Sequence, residues 1–310
     1  MNAFLMGFWA CIFLGACLPI VASGQMPVSA NEVILDLPVR YVLEGKAGGF
    51  GSVLGYFHFP AGISGDSEYV YVSDSGNDRV VKTDFYFLQF DSFQPISEGG
   101  RSLDNPLGIA LDGHDVWVGD AGNHRVVRYT RQGIPTETLG DFGIFEGSFD
   151  TPIGVAARFG QVWVADSRNH RVQQFQNKVF LRSFGSWGDE RETLQDPYDM
   201  LLLPTYELIV SDREQRRLAI FSDLGQWVQD IVPVFPKGMA AFGRIRGLGR
   251  DQDGRIFVAD PDHGRVVVLQ RDGKVLAFLP VAAPEDVYAW GDLVFVTDRS
   301  THAVLRFRRR

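Results

Sequence analysis

The sequence predicts an all-β fold, because one strand–turn–strand motif recurs along almost the whole chain. The clearest copy spans residues 116–129. Its flanks, residues 116–119 and 125–129, are rich in Val and aromatic residues, which suit half-buried strands. Residues 120–123 between them, Asp-Ala-Gly-Asn, are turn formers, and the 34 glycines of the chain suit a fold with many tight turns.

Each copy of the motif places one aspartate directly after its first strand. The separations between successive aspartates are 46, 46, 46, 48 and 38 residues. A regular period with room for four strands is typical of propeller blades. We expect these aspartates to be structural, each capping its own turn and pairing with a nearby arginine, because identical positions in six blades form a ring and not a cluster. They are Asp74, Asp120, Asp166, Asp212, Asp260 and Asp298.

A proline stands 14 or 15 residues before the aspartate in five of the six copies, and a glycine often follows two positions later. The combination Pro-x-Gly-Ile and Val-x-Val-x-Asp-x-x-Asn-His-Arg, complete in residues 106–125, resembles the NHL repeat. The resemblance covers about residues 40–307 and is to exported NHL proteins of bacterial type. It implies a six-bladed β-propeller with four antiparallel strands in each blade.

The ends of the chain predict how the ring closes. The last copy finishes with its third strand, at residues 303–307, so that blade lacks an outer strand. Residues 39–43 match the missing strand type. We expect this N-terminal strand to complete the last blade, since closure removes exposed sheet edges. Residues 25–310 are then a single propeller domain.

Residues 1–24 resemble a secretory signal peptide. They contain no charged side chain, are apolar from residue 4 to 21, and end in small residues. An uncleaved membrane anchor is the alternative. Residues 14–17, Leu-Gly-Ala-Cys, resemble a bacterial lipobox, which makes Cys17 a candidate lipidation site; a chance cysteine is the other interpretation. We predict export to the periplasm or cell exterior, with membrane contact only through this N-terminus.

Charge narrows the choice of partners. The formal net charge is −8 and the pI about 5.3, which argues against nucleic-acid binding by broad basic electrostatics.

His124, His170 and His302 share one repeat position, so they should lie too far apart to hold a metal together. We expect a monomer whose partner is a protein or a small polar ligand.

The most informative residues are those that depart from the repeat. Four copies have glycine two positions after the proline, or after Ile245 in the fifth copy, whereas the fourth and sixth have Asp199 and Asp286. Blades 4, 5 and 6 are consecutive, so these residues and their neighbours should converge at one side of the channel mouth. A channel mouth is a usual place for a ligand site. Solvent-exposed loop charges are the alternative. The candidates are Tyr198, Asp199, Arg244, Arg246, Glu285 and Asp286.

The resemblance mainly implies a non-catalytic binding or scaffold propeller that presents a face or its channel mouth. The alternative is a metal-dependent enzyme of the lactonase or lyase type. Lyase relatives hold zinc with histidines beside the inner-strand proline, where this chain has none. Lactonase-like propellers hold a divalent metal with Glu, Asn and Asp. Asp199, Asp286 and Glu285 could supply carboxylates for Ca²⁺, with no Asn at the expected positions. We therefore predict binding without a cofactor, with Ca²⁺ as the alternative.

Overall fold

The computed structural model describes residues 37–93 and 102–310. The predicted signal peptide and Cys17 lie outside these residues. Within the described ranges, six four-stranded antiparallel sheets form the blades of a β-propeller, which confirms the predicted fold. No helix in these ranges has the length and apolar character needed to cross a membrane.

The strands follow the chain in regular order. Strand β1 (Tyr41–Gly48) comes first and belongs to the last blade. Blade 1 contains β2 (Pro60–Gly65), β3 (Tyr69–Asp74), β4 (Arg79–Asp84) and β5 (Phe90–Ser92). Blade 2 contains β6 (Pro106–Asp112), β7 (Asp115–Asp120), β8 (Arg125–Thr130) and β9 (Pro135–Leu139). Blade 3 contains β10 (Pro152–Arg158), β11 (Gln161–Asp166), β12 (Arg171–Gln176) and β13 (Val179–Phe184).

The second half repeats the pattern. Blade 4 contains β14 (Pro197–Leu202), β15 (Leu208–Asp212), β16 (Arg217–Phe221) and β17 (Trp227–Ile231). Blade 5 contains β18 (Leu248–Arg250), β19 (Ile256–Asp260), β20 (Arg265–Leu269) and β21 (Val275–Pro280). Blade 6 contains β22 (Pro284–Trp290), β23 (Leu293–Asp298) and β24 (Ala303–Arg309), with β1 as its outer strand.

The N-terminal strand closes the ring, as predicted. β1 pairs antiparallel with β24, so that Tyr41 lies opposite Arg309 and Gly48 opposite Ala303. The strand continues past the predicted residues 39–43, and its register shifts at Glu44. The Glu44 carboxylate accepts hydrogen bonds from Arg308 in β24 at 2.8 Å and from Arg310, just after β24, at 2.9 Å. The last blade therefore has no missing strand.

The hydrophobic core lies between neighbouring blades. Trp163 of blade 3, for example, packs with Met200, Leu208 and Val210 of blade 4. The sequence positions equivalent to Trp163 in the other blades are buried in the same way. Burying a side chain of this kind contributes roughly 1.5–3 kcal/mol. Each interface therefore stabilises two blades at once, and a single blade would be unstable.

The inner strands of the blades, each in contact with the next around the central channel, are β2, β6, β10, β14, β18 and β22. The repeat aspartates lie in hydrogen-bond networks at the start of these inner strands. Asp120 is fully buried and accepts from the main-chain N–H of Asp104 at 2.7 Å, the Asn123 amide at 3.0 Å and Arg125 Nε at 2.7 Å. The same three kinds of donor surround Asp166. In these two blades the carboxylate bonds side chains of its turn and not the turn's own N–H groups.

The repeated histidines lie apart and each contacts an aromatic ring. His124 packs 4.7 Å from Phe142, and His170 packs 4.8 Å from Trp187. These rings come from the loop that leads into the following blade. Within residues 37–93 and 102–310, no group of three or more His, Cys, Asp or Glu side chains is arranged to hold a metal ion.

Candidate functional site

The inner strands all begin at the same end of the central channel. The residue after each proline, or after Ile245 in blade 5, therefore contributes to one ring around the channel mouth. The ring is apolar in blades 1–3 and polar in blades 4–6. Its members are Ala61, Leu107, Ile153, Tyr198, Arg246 and Glu285.

The mouth encloses a narrow cavity. About 20 Å³ of this cavity can hold the centre of a water molecule. A site of this size has room for one or two waters. The mouth can therefore take up one small group of a ligand, while the rest of that ligand stays outside.

Three polar residues of the ring form one buried network. The Tyr198 hydroxyl donates to Glu285 Oε1, and Arg246 Nη1 donates to Glu285 Oε2. The Glu285 side chain is 1% exposed, whereas a quarter of the Arg246 side chain is exposed. Burial, followed by the Glu285 charge, raises the pKa of Tyr198 well above its ordinary value. The tyrosine therefore remains a hydrogen-bond donor to the carboxylate throughout the physiological pH range.

Asp199 and Asp286 connect their blades to the next ones around the ring. Asp199 Oδ2 accepts from the Leu248 N–H of blade 5 at 2.8 Å. Asp286 Oδ2 accepts from the Ile63 N–H of blade 1, also at 2.8 Å. Each carboxylate thus fills a space between two inner strands and pairs a main-chain donor there.

At the glycine positions the inner strands lie too close for a side chain. A Cβ atom on Gly154 would lie 2.7 Å from the Asp199 Cα atom. The Asp199 and Asp286 positions differ, because a carboxylate lies between the blades there. Replacing them by glycine would leave the Leu248 and Ile63 N–H groups without these acceptors, at about 1–3 kcal/mol each. Asparagine, which keeps an acceptor oxygen, is the more conservative substitution.

The two carboxylates meet around Gly247. A Cβ atom there would lie 2.2 Å from Asp286 Oδ1, and the next residue, Leu248, binds Asp199. Burial raises the pKa of Asp199 to about 7. Burial, and then the nearby Asp199 charge, raises the pKa of Asp286 well above its ordinary value. Both shifts therefore favour the protonated form of each carboxyl over the charged form.

The structure brings five of the six candidate residues together, namely Tyr198, Asp199, Arg246, Glu285 and Asp286. Arg244 points elsewhere. Its side chain is 55% exposed and lies 3.4 Å from Glu214, and its main-chain N–H donates to Asp262. Arg244 therefore does not join the network of the other five residues, and its assignment to the ligand site stays a prediction.

Sequence reasoning missed two hydroxyl residues that support the aspartates. Ser211 Oγ accepts from the Asp199 N–H at 3.0 Å, and Thr297 Oγ1 accepts from the Asp286 N–H at 2.9 Å. Thr297 also donates to the Ala61 carbonyl of blade 1. Both directly precede a repeat aspartate, and this position is Gly or Ala in blades 2, 3 and 5. The coincidence of a hydroxyl with an inner-strand aspartate was a signal in the sequence.

Comparison with known proteins supports the repeat assignment. Residues 103–129 and 149–175, in blades 2 and 3, match the family described as the NHL repeat. The fold and these matches together define the class. The chain is a six-bladed β-propeller whose blades 2 and 3 match the NHL repeat. No curated protein sequence matches it.

Solved structures share the fold at low sequence identity. Virginiamycin B lyase from Staphylococcus aureus is 9% identical, with 87% of this chain and 99% of that chain covered and a TM-score of 0.58. A gluconolactonase from Xanthomonas campestris is 15% identical, with 82% and 87% covered and a TM-score of 0.63. Hydrazine synthase from Kuenenia stuttgartiensis is 13% identical, with 91% and 98% covered and a TM-score of 0.59. These similarities show the fold alone.

Proposed function

We propose that the protein is a non-catalytic binding propeller that holds a small ligand at its channel mouth through a positively charged group of that ligand. The observation that carries this proposal is the carboxylate pair Asp199 and Asp286. Three carboxylates, these two and Glu285, line a narrow cavity, and one guanidinium, that of Arg246, pairs with Glu285. Because low-dielectric walls limit screening, such a site favours a cation.

The size of the cavity limits which part of a ligand enters. An ammonium group or a single metal ion fits the available space, whereas a larger ligand must lie across the exposed mouth. The apolar half of the ring, with Ala61, Leu107 and Ile153, would contact the carbon atoms next to an ammonium group. A small organic amine matches both halves of the ring, and we favour it over a free ion.

The geometry does not fit the metal centre implied by lactonase-like or lyase-like propellers. The described residues offer no set of three acidic, His or Cys ligands. Glu285, the nearest third carboxylate, is already paired with Arg246 and Tyr198. A cation such as Ca²⁺ would have to complete its shell with main-chain oxygens or water.

A thermal-shift experiment tests the proposal. We would measure the unfolding temperature of the parent chain at pH 8 with putrescine, choline or CaCl₂. The comparison is the double variant Asp199→Asn with Asp286→Asn. The control is Asp84→Asn, because the Asp84 carboxylate also accepts from two main-chain N–H groups, but in a turn of blade 1.

We expect at least one amine to raise the unfolding temperature of the parent and of the control, and to leave the double variant unchanged. A parent that responds to none of the three compounds would refute the proposal. A double variant that responds as strongly as the parent would do the same.

We also propose that the protein is exported, on the strength of residues 1–24. The intact mass of the protein purified from its native source tests this. A mature chain that starts near residue 25 supports secretion, and a diacylglyceryl-modified Cys17 supports a lipoprotein. An intact N-terminus would favour a membrane anchor.

A further inference from the structure

A second cleft lies between blades 3 and 4, at the end of the propeller away from the channel mouth. The β10–β11 hairpin and the turns after β14 and β16 surround it, contributing Phe159, Tyr206 and Asp223. About 360 Å³ of this cleft can hold the centre of a water molecule, compared with about 20 Å³ at the mouth. The larger value lies in the range of about 300–1,000 Å³ typical of small-molecule pockets.

Gln174 is the unusual residue in this cleft. Its side chain is 3% exposed, and its Oε1 atom has no hydrogen-bond partner among residues 37–93 and 102–310. A buried polar atom left unpaired costs about 1–3 kcal/mol and calls for an explanation. A ligand that donates a hydrogen bond to Oε1 would remove this penalty.

The repeat shows that folding does not require an amide at this position. Gln174 lies opposite Trp163, and the sheet registers identify its equivalents in the other blades. Three are basic and form hydrogen bonds to protein oxygens, and two are apolar. The basic residues are Lys82, Arg128 and Arg306, and the apolar ones are Ile220 and Val268. Gln174 is thus the one neutral polar residue of the six.

Further amides and two aromatic rings complete the lining. Gln161 and Gln176 lie opposite each other on neighbouring strands at the edge of the cleft. The Phe159 side chain is 73% exposed and that of Tyr206 is 38% exposed. The Arg158 guanidinium lies 5.2 Å from the Phe159 ring centroid and 4.8 Å from that of Tyr206, so it holds both rings.

The backbone at both rings is unfavourable for bulky side chains. Phe159 has φ 52° and Tyr206 has φ 65°, in the left-handed region that such residues rarely adopt. Asp112 fixes the first turn by accepting from the N–H groups of Phe159 and Gly160 at 2.8 and 2.7 Å. Strained positions of this kind cluster at ligand sites.

The chemistry of the cleft identifies a class of ligand. Amides both donate and accept hydrogen bonds, so three of them suit a neutral ligand with several hydroxyl groups. The faces of exposed aromatic rings carry negative charge density and attract the C–H groups on the apolar face of a ligand. The charges of Arg182 and Asp223 at the edge have opposite signs. A pyranose sugar combines hydroxyl groups, an apolar face and no net charge.

We propose that this cleft is a saccharide-binding site. Gln174 Oε1 accepts from a sugar hydroxyl, and Phe159 and Tyr206 pack against the apolar face of the ring. This site is separate from the channel mouth, so the proposal does not depend on the function proposed above.

Saturation-transfer difference NMR on the full chain tests this site, with glucose, cellobiose and N-acetylglucosamine as probes. The first variant is Gln174→Ile, which copies the residue of blade 4. The second is Phe159→Asn, which removes the ring and suits the left-handed backbone. The control is Lys82→Ile, the same type of change in the equivalent cleft of blade 1.

We expect saturation transfer to at least one sugar in the parent and in the control. Gln174→Ile should weaken binding about tenfold, the loss of one good hydrogen bond, without lowering the unfolding temperature. Phe159→Asn should also weaken binding. Absence of transfer to all three sugars in the parent, or undiminished transfer in both variants, would overturn the proposal.

Discussion

Replacing Asp199 by asparagine should stabilise the protein at alkaline pH and much less at acidic pH. The pKa of this carboxyl is about 7 in the fold, compared with an ordinary value of 3.8. Between these values the folded state binds more protons than the unfolded state, so stability falls as the pH rises through this window. Asparagine does not titrate, so the stability of the variant does not fall with pH for this reason.

The magnitude follows from the size of the shift. Between pH 5 and pH 7 the parent loses about 1.4 kcal/mol per pH unit from this group, or roughly 3 kcal/mol in all. The channel side of Asp199 keeps some contact with solvent, which screens the charge. We therefore expect the stability difference between variant and parent to grow by about 1–3 kcal/mol from pH 5 to pH 8.

Urea unfolding at pH 5 and pH 8 measures this difference. Asp84→Asn, in a turn of blade 1, is the matched control for the substitution itself and is measured at the same two pH values. The opposite result is a free energy of unfolding for Asp199→Asn that differs from that of the parent by the same amount at both pH values. That result would show that the charged carboxylate is not unfavourable in the fold, and it would refute the reasoning.

Three further predictions concern the mouth and the closure of the ring. Gly247→Ala should destabilise the protein by several kcal/mol, since its Cβ atom would lie 2.5 Å from a main-chain atom of blade 6, whereas Gly45→Ala, with a nearest contact of 3.4 Å, should be nearly neutral in thermal melts. Glu285→Gln should destabilise by about 3–5 kcal/mol by leaving the Arg246 charge unpaired, and adding Arg246→Met should restore most of this stability in urea unfolding. A chain that lacks residues 1–48 should melt well below one that lacks residues 1–36, because only the former loses β1; equal melting temperatures would contradict the closure.

Much of the fold could be predicted from sequence because repetition fixes it. The regular period defined the blades, and the unpaired third strand at the C-terminus predicted closure by the N-terminal strand. The continuation of β1 to Gly48 was missed, because a register shift at Glu44 interrupts the pattern of the strand.

The candidate site could be predicted only in part. Repeat position alone predicted that Asp199 and Asp286 lie at the same distance from the propeller axis, and the structure brings both to the same cavity. Their bonds to neighbouring blades depend on the spacing between inner strands, which no local pattern encodes. Arg244 lies apart from the other candidates because it pairs with Glu214, which belongs to a turn of blade 4. The cleft around Gln174 became visible only with the register of the sheets.

The central claim is that the carboxylates at the mouth bind a cationic group, and calorimetry at pH 7 tests it most directly. We would titrate the parent with the amine that raises its unfolding temperature, in buffers of different ionisation enthalpy. A cation requires ionised carboxylates, and Asp199 is about half protonated at this pH. Binding should therefore release about half a proton or more per ligand, and the double variant Asp199→Asn with Asp286→Asn should show neither binding nor release. Binding without proton release, or equal binding by the double variant, would contradict the account.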